Sequence, residues 1–332
     1  MKNNIMKHLV TLLAIAALVI LGVSSGTMQR QAEVEITWDE GLTSGVTRIT
    51  NDKLFKNWVK ASPDGTKLLY TEASKSGNWT VMYLRDANNP AKTPLIGEIA
   101  YSPSWYEDST RFLYISYEGG SGRIVRSSVT GGGKTYISRT AIGDGDDTPI
   151  IREGMIVCTS WVNNQWQIVV VKENGTEPTF LGEGRSPSWH PTEDKIVFIK
   201  NTNEPGSSGG DIYEMNMTSG QITQIYSDPQ GLCYSPSYSP DGRRILFAKE
   251  TGVRRTGTVT TKTSSSTTRR AISYEAERTH VFVMNADGTN VSPISGGTGS
   301  VSSPCWGKDG EIFCLVRIAG QAREIYKLRI RD

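Results

Sequence analysis

Histidine is nearly absent from this sequence: His8, His190 and His280 are the only three in 332 residues. Isolated histidines make no acid–base couple by themselves, and neither a His-Glu-x-x-His pair nor a phosphate-cradling loop accompanies them. A Gly-x-Ser-x-Gly match at Gly22 to Gly26 lies outside any strand–turn–helix context and carries no catalytic meaning. Cysteine is sparse too, at positions 158, 233, 305 and 314, with no zinc spacing among them. Cys158 and Cys314 sit in apolar runs and read as small buried hydrophobes. Cys233 and Cys305 open equivalent strands of neighbouring repeats, where an oxidising compartment would permit a disulfide within strict geometric limits. Net charge is missing as well. Lys+Arg number 36 and Asp+Glu 34, and dropping residues 1–26 removes Lys2 and Lys7, which makes the two signs equal. Nucleic acid is therefore excluded as the main partner. No long amphipathic helical pattern occurs, no cofactor motif is found, and no catalytic residue is assigned.

The first 26 residues are organised differently from the rest. Lys2, Lys7 and His8 precede an uncharged run from Leu9 to Val23, and Ser24-Ser25-Gly26 follow. This is the order of a secretory signal, with Val23 and Ser25 suited to cleavage after Ser25. An uncleaved N-terminal anchor is the rival, although the apolar run is short for a bilayer span. Either way the chain is expected to be exported, to the periplasm or the cell exterior. Residues 27–45 read as a linker.

The remainder is repetitive. Tyr234-Ser-Pro-Ser-Tyr-Ser-Pro-Asp-Gly-Arg-Arg-Ile-Leu-Phe247 reads as a strand, a Pro-Asp-Gly turn and an apolar second strand. Markers at Trp58, Trp105, Ile151, Trp189, Tyr238 and Trp306 recur at roughly 40–50 residues, apart from the last, wider interval. An insertion between Phe247 and Phe282, at about 251–279, accounts for that width. Third strands end in Gly-bearing turns such as Asn285-Ala-Asp-Gly288, and a fourth strand follows each except the last. Four strands per unit at this spacing predict an all-β, six-bladed β-propeller over 46–332. The final unit lacks its fourth strand, and Val46-Thr-Arg-Ile-Thr50 is expected to supply it.

The units Ser235-Pro-Ser-Tyr-Ser-Pro-Asp-Gly242, Ser186-Pro-Ser-Trp-His-Pro191 and Val283-Met-Asn-Ala-Asp-Gly288 resemble the PD40 (WD40-like) repeats of TolB-type six-bladed propellers. The likeness covers about 46–330 and departs in the third unit, where Asp147-Thr-Pro-Ile-Ile151 replaces Ser-Pro-x-Trp. TolB carries a further α/β domain ahead of its propeller, and the linker here is too short for one. The resemblance implies binding of a protein or peptide rather than catalysis.

The marker aromatics are expected to pack blade on blade rather than to offer sugar-stacking platforms. Gly143-Asp-Gly-Asp-Asp147 is the acidic cluster; it lacks full calcium-loop spacing and reads as a solvated loop. The insertion carries Arg254, Arg255, Lys262, Arg269 and Arg270 with a Thr/Ser run, permitting a two-stranded arm or a loop. Blade geometry puts it on the face where first strands begin. Tyr101, Asp146, Asp147, Arg185, Tyr234, Arg254 and Arg255 are thus the expected binding residues, with Ser302 beside them. Two alternatives stand beside partner binding. One is a polysaccharide-acting lyase or hydrolase, which would need His190 or His280 in the channel. The other is a purely structural subunit of a cell-envelope complex.

Overall fold

The structure is a computed structural model. It describes residues 35–331, apart from 74–80, 88–90, 98, 132, 138–141, 144, 201–208, 230, 252–253, 263–266, 276–277 and 320–321. The expected signal segment, residues 1–26, lies outside the described residues.

Strands β1 (Ile36–Trp38) and β2 (Thr43–Arg48) precede the first blade. Blade 1 is β3 (Lys56–Ala61), β4 (Lys67–Glu72), β5 (Val81–Asp86) and β6 (Lys92–Ile96). Blade 2 is β7 (Ala100–Trp105), β8 (Arg111–Ser116), β9 (Arg123–Ser128) and β10 (Thr135–Tyr136). Blade 3 is β11 (Asp146–Arg152), β12 (Met155–Val162), β13 (Gln165–Lys172) and β14 (Thr179–Glu183). Blade 4 is β15 (Arg185–Trp189), β16 (Lys195–Lys200), β17 (Asp211–Asn216) and β18 (Ile222–Tyr226). In blade 5, β19 (Cys233–Tyr238) and β20 (Arg244–Glu250) are followed by the inserted hairpin β21 (Arg254–Lys262) and β22 (Thr267–Glu275). The blade then resumes with β23 (Thr279–Asn285) and β24 (Ser292–Pro293), and β25 (Ser295–Gly297) pairs with β1. Blade 6 is β26 (Ser300–Trp306), β27 (Glu311–Ala319) and β28 (Ala322–Ile330), completed by β2.

The first strands β3, β7, β11, β15, β19 and β26 contact one another in turn, and β26 returns to β3. That closes the ring around an axial channel. The closing strand is β2, three residues earlier than the expected Val46–Thr50. Pairing nevertheless runs on to Thr50, because the Ile49 and Thr50 amides both donate to the Ile325 carbonyl, at 2.8 and 3.4 Å. The stretch expected as a linker includes β1 and the start of β2, so ordered pairing begins well upstream of Val46.

Core formation follows from the middle strands, each covered on both faces and therefore apolar at consecutive positions. In β4, Leu68 and Tyr70 join Phe313 and Leu315 of blade 6, while Leu69 between them joins Phe112 and Tyr114 of blade 2. Alternation thus divides each middle strand between two interfaces. The described residues form six such clusters, one between each pair of neighbouring blades. All four cysteines are free and buried. Cys233 lies between blades 4 and 5 and Cys305 between blades 6 and 1, so the two do not meet.

Marker aromatics fasten blade to blade. Trp105 Nε1 donates to the Lys60 carbonyl of blade 1 at 3.1 Å, and Trp306 Nε1 to the Ser237 carbonyl of blade 5 at 3.1 Å. Trp58 does not belong to this series. The register pairs Ala61 with Leu68 as it pairs Trp105 with Phe112, so Ala61 holds the marker position in blade 1.

Candidate functional site

Every inner strand carries the same irregularity. Register shifts fall after Asn57, Tyr101, Asp147, Arg185, Tyr234 and Ser302. The next residue in each case is left-handed: Trp58, Ser102, Thr148, Ser186, Ser235 and Ser303 have φ of 49, 47, 47, 50, 50 and 48°. These are β-bulges on the free edge facing the channel, where proline's missing N–H breaks no ladder bond. Proline follows the left-handed residue in five of the six. Blade 3 shares the bulge despite its divergent sequence, since Thr148-Pro149 does what Ser102-Pro103 does in blade 2. Left-handed non-glycine residues cost about 1–3 kcal/mol each and cluster where a surface is being shaped.

The bulges align six side chains of five kinds on the face from which the inner strands start: Asn57, Tyr101, Asp147, Arg185, Tyr234 and Ser302. Tyr101, Asp147, Arg185 and Tyr234 had been expected at this mouth. Asp146 is withdrawn from it. Fully buried between blades 2 and 3, its carboxylate accepts from the Ser160 hydroxyl at 2.8 Å and the Ile142 amide at 3.1 Å, tying down the turn before β11. Burial pushes its pKa up to about 6. The acidic stretch is thus a blade seam rather than a solvated loop at this residue, and Asp144 lies outside the described residues. Asp147 is half-buried, with the Ser102 hydroxyl donating at 2.5 Å and the Thr148 amide at 2.7 Å. Burial raises its pKa, against those bonds and the field of Arg185. Arg185 stacks over Trp166 at 4.9 Å, and burial lowers its pKa.

On one side of the mouth a cavity of about 340 Å³ opens between blades 5, 6 and 1. Tyr234, Glu250, Ser302, Arg317, Arg323 and Asn57 contribute its polar wall. The Tyr234 hydroxyl donates to Glu250, Arg323 donates to the Asn57 amide oxygen, and its guanidinium lies 4.7 Å from the Phe55 ring. The insertion leaves blade 5 beside this cavity, because Lys249 near the end of β20 pairs with Cys233 at the start of β19. It forms a nine-pair antiparallel hairpin, from Arg254 opposite Glu275 to Lys262 opposite Thr267. Arg254 and Arg255 open its first strand. On the other side of the mouth Trp58, Tyr101 and Tyr117 meet edge to face.

Glu250, Arg317, Arg323, Trp58 and Tyr117 were not among the expected site residues. One signal was available: counting back from Ser62-Pro63-Asp64-Gly65, as from Ser239-Pro240-Asp241-Gly242, puts the blade 1 marker at Ala61 and frees Trp58 for another role. Neither described histidine lies on an inner strand. His190 occupies the turn after β15, where Nδ1 accepts the Glu193 amide at 2.9 Å and the ring meets Tyr238 edge-on at 4.7 Å. His280 is buried on β23, a third strand, and burial lowers its pKa. Among the described residues no group of three or more His, Cys, Asp or Glu is placed to hold a metal ion.

No family model matches the chain. An uncharacterized protein of Agrobacterium fabrum is 31% identical over 32% of this chain and 47% of its own length. The chain therefore spans about half the length of the curated relative it matches. Among solved structures, TolB from Acinetobacter baumannii superposes with TM-score 0.57 at 16% identity, over 78% of this chain and 59% of that one. A putative TolB from Agrobacterium tumefaciens gives 0.55 at 14%, over 86% and 97%. An oligogalacturonate lyase in complex with manganese gives 0.54 at 13%, over 91% and 99%. The chain is a six-bladed β-propeller resembling the TolB-like propellers. At these identities the likeness concerns the fold, which hosts binding proteins and enzymes alike.

Proposed function

We propose that this chain is an exported, non-enzymatic propeller of the PD40 type that binds a protein or peptide at the mouth bearing the blade 5 hairpin. The observation that carries this is the convergence of three features on one face. Six equivalent bulges present five kinds of side chain, a polar cavity opens beside Tyr234, and the added hairpin springs from the same blade edge. Repeats built only to support one another have no need of five residue types at six equivalent bulges. The chemistry expected of the enzymatic alternative would call for a histidine at the channel. His190 serves a turn instead, and His280 lies two strands away from the inner edge. For export the support is residues 1–26. Among the described residues no helix is long and apolar enough to cross a membrane.

The test places a photo-crosslinking residue at Ser302 and, as control, at Thr179 on the outer strand of blade 3. Envelope extract is probed with the intact chain and with one lacking residues 251–279. A partner crosslinked from position 302 but not 179, and lost with the hairpin, is the expected result. Equal capture from both positions, unchanged by the deletion, would sink the reading.

A further inference from the structure

The arc from blade 1 to blade 3 is built differently from the cavity opposite. Trp58 meets Tyr101 at 5.0 Å and 74°, and Tyr101 meets Tyr117 at 5.3 Å and 89°. Tyr117 is 39% exposed and Ile99 beside it 41%, so both present apolar surface to solvent. The Tyr117 carbonyl and amide anchor this corner, the amide donating to the Ile99 carbonyl at 3.3 Å and the carbonyl accepting from Gly120 at 3.0 Å. Gly122 lets the ring lie against blade 3, since a β-carbon there would stand 3.3 Å from Tyr117 Cζ and 2.7 Å from the Asp146 carbonyl. The arc ends at the Asp147 carboxylate, held by Ser102 from the residue next to Tyr101. Its field acts on the Tyr117 phenol, whose pKa is raised mainly by burial and then by Asp147.

Asp147 differs from the buried or half-buried carboxylates Glu72, Asp228 and Glu324, and shares the lack of an ion-pair partner among the described residues with Asp146, which is fully buried in the seam and closed to a ligand. Glu72 has Lys92 at 2.7 Å, Asp228 has Lys249 at 2.5 Å, and Glu324 has Arg48 at 3.2 Å. Among the described residues none forms an ion pair with Asp147, and Arg185 acts on it only across space. A desolvated carboxylate without a counter-charge is costly, and aromatic rings beside it attract a cation through their negative faces. Two attractions for positive charge thus coincide at one corner of the mouth.

We infer that Trp58, Tyr101, Tyr117 and Asp147 form a subsite for one lysine or arginine side chain of the peptide bound at this mouth. The inference rests on the binding role proposed above and names the chemistry of what is bound. Arg185, turned over Trp166, marks the boundary of the subsite and disfavours a second cation next to the first.

The experiment selects peptides from a display library on the intact chain carrying the crosslinker at Ser302, keeping those that crosslink. Each retained peptide is resynthesised with its basic residues replaced singly by norleucine. It is then titrated against the parent chain, Asp147→Asn and Tyr117→Leu, the last keeping apolar bulk on an exposed residue. Expected is one basic position whose replacement weakens binding about 5- to 30-fold, with the same loss on Asp147→Asn and no further loss when the two are combined. Tyr117→Leu is expected to weaken the lysine or arginine peptide and leave its norleucine form unchanged. Crosslinked peptides that lack such a position, or whose losses simply multiply, overturn the subsite and leave the mouth as a binding face. A library that yields no crosslinked peptide overturns both.

Discussion

Removing the Lys56 ammonium tests whether ring closure depends on buried charge. Lys56 lies at the start of blade 1 and is fully buried. Its Nζ contacts Asp52, lies 3.5 Å from Glu324 on β28 and 4.0 Å from Glu72, and donates to the Arg323 carbonyl at 3.4 Å. Glu324 is also fully buried and takes the Thr50 hydroxyl at 2.5 Å, the Lys53 amide at 2.7 Å and Arg48 at 3.2 Å. Lys92 balances Glu72 at 2.7 Å and Asp52 at 3.1 Å. Three cations and three carboxylates therefore cancel across the seam where blade 6, the closing strand and blade 1 meet. Lys56→Met leaves one carboxylate unmatched among buried Glu324, buried Glu72 and the 32% exposed Asp52, which costs up to about 3–5 kcal/mol. That is a large share of the roughly 5–15 kcal/mol by which domains are stable. Glu324→Gln removes a charge of the opposite sign, so the double variant should lose less than the two singles together, by about 1–3 kcal/mol. Urea unfolding of the parent, both singles and the double at neutral pH measures this coupling. Proteolysis of the 43–50 segment should quicken in Lys56→Met and slow again in the double variant. A Lys56→Met chain within about 1 kcal/mol of the parent, or losses that add without coupling, would refute the reasoning.

Two further predictions concern the seam between blades 2 and 3 and the outer turns. Burial raises the Asp146 carboxyl from 3.8 to about 6, so the folded state binds that proton more tightly than the unfolded state does. The contribution of Asp146 to stability should fall as pH rises from about 4 to about 6, by about 3 kcal/mol in all, and then stay level. Asp146→Asn should flatten this slope in urea titrations across that range, and an unchanged slope would remove Asp146 as its source. Gly288 (φ +85°) has its turn packed on the Ile225 carbonyl of blade 4, whereas Gly310 (φ +74°) faces open space. Gly310→Ala should therefore cost about 1 kcal/mol in thermal unfolding and Gly288→Ala about 3. Equal losses would mean that the Gly288 turn shifts freely away from its neighbour.

Six units, four strands each and a terminal strand that completes the last were all legible in the sequence. Pro-Asp-Gly and Asn-Ala-Asp-Gly turns, and apolar runs such as Ile245-Leu246-Phe247, are local signals that chain neighbours alone make decisive. The assignment of Tyr101, Asp147, Arg185 and Tyr234 to one mouth followed from blade geometry, because equivalent positions in a circular array share a face. Spacing could not reveal the bulge, which inserts a residue into each inner strand and resets the register after it. The turn count sets Trp58 apart from the blade-packing markers, but only the fold placed it in the aromatic arc. Asp146 and Asp147 are neighbours in the chain, yet one closes a seam and the other faces the channel mouth. Pairings such as Lys56 with Glu324 join residues from opposite ends of the chain. Those end-to-end contacts arise from closure of the ring, so only the tertiary structure decided them.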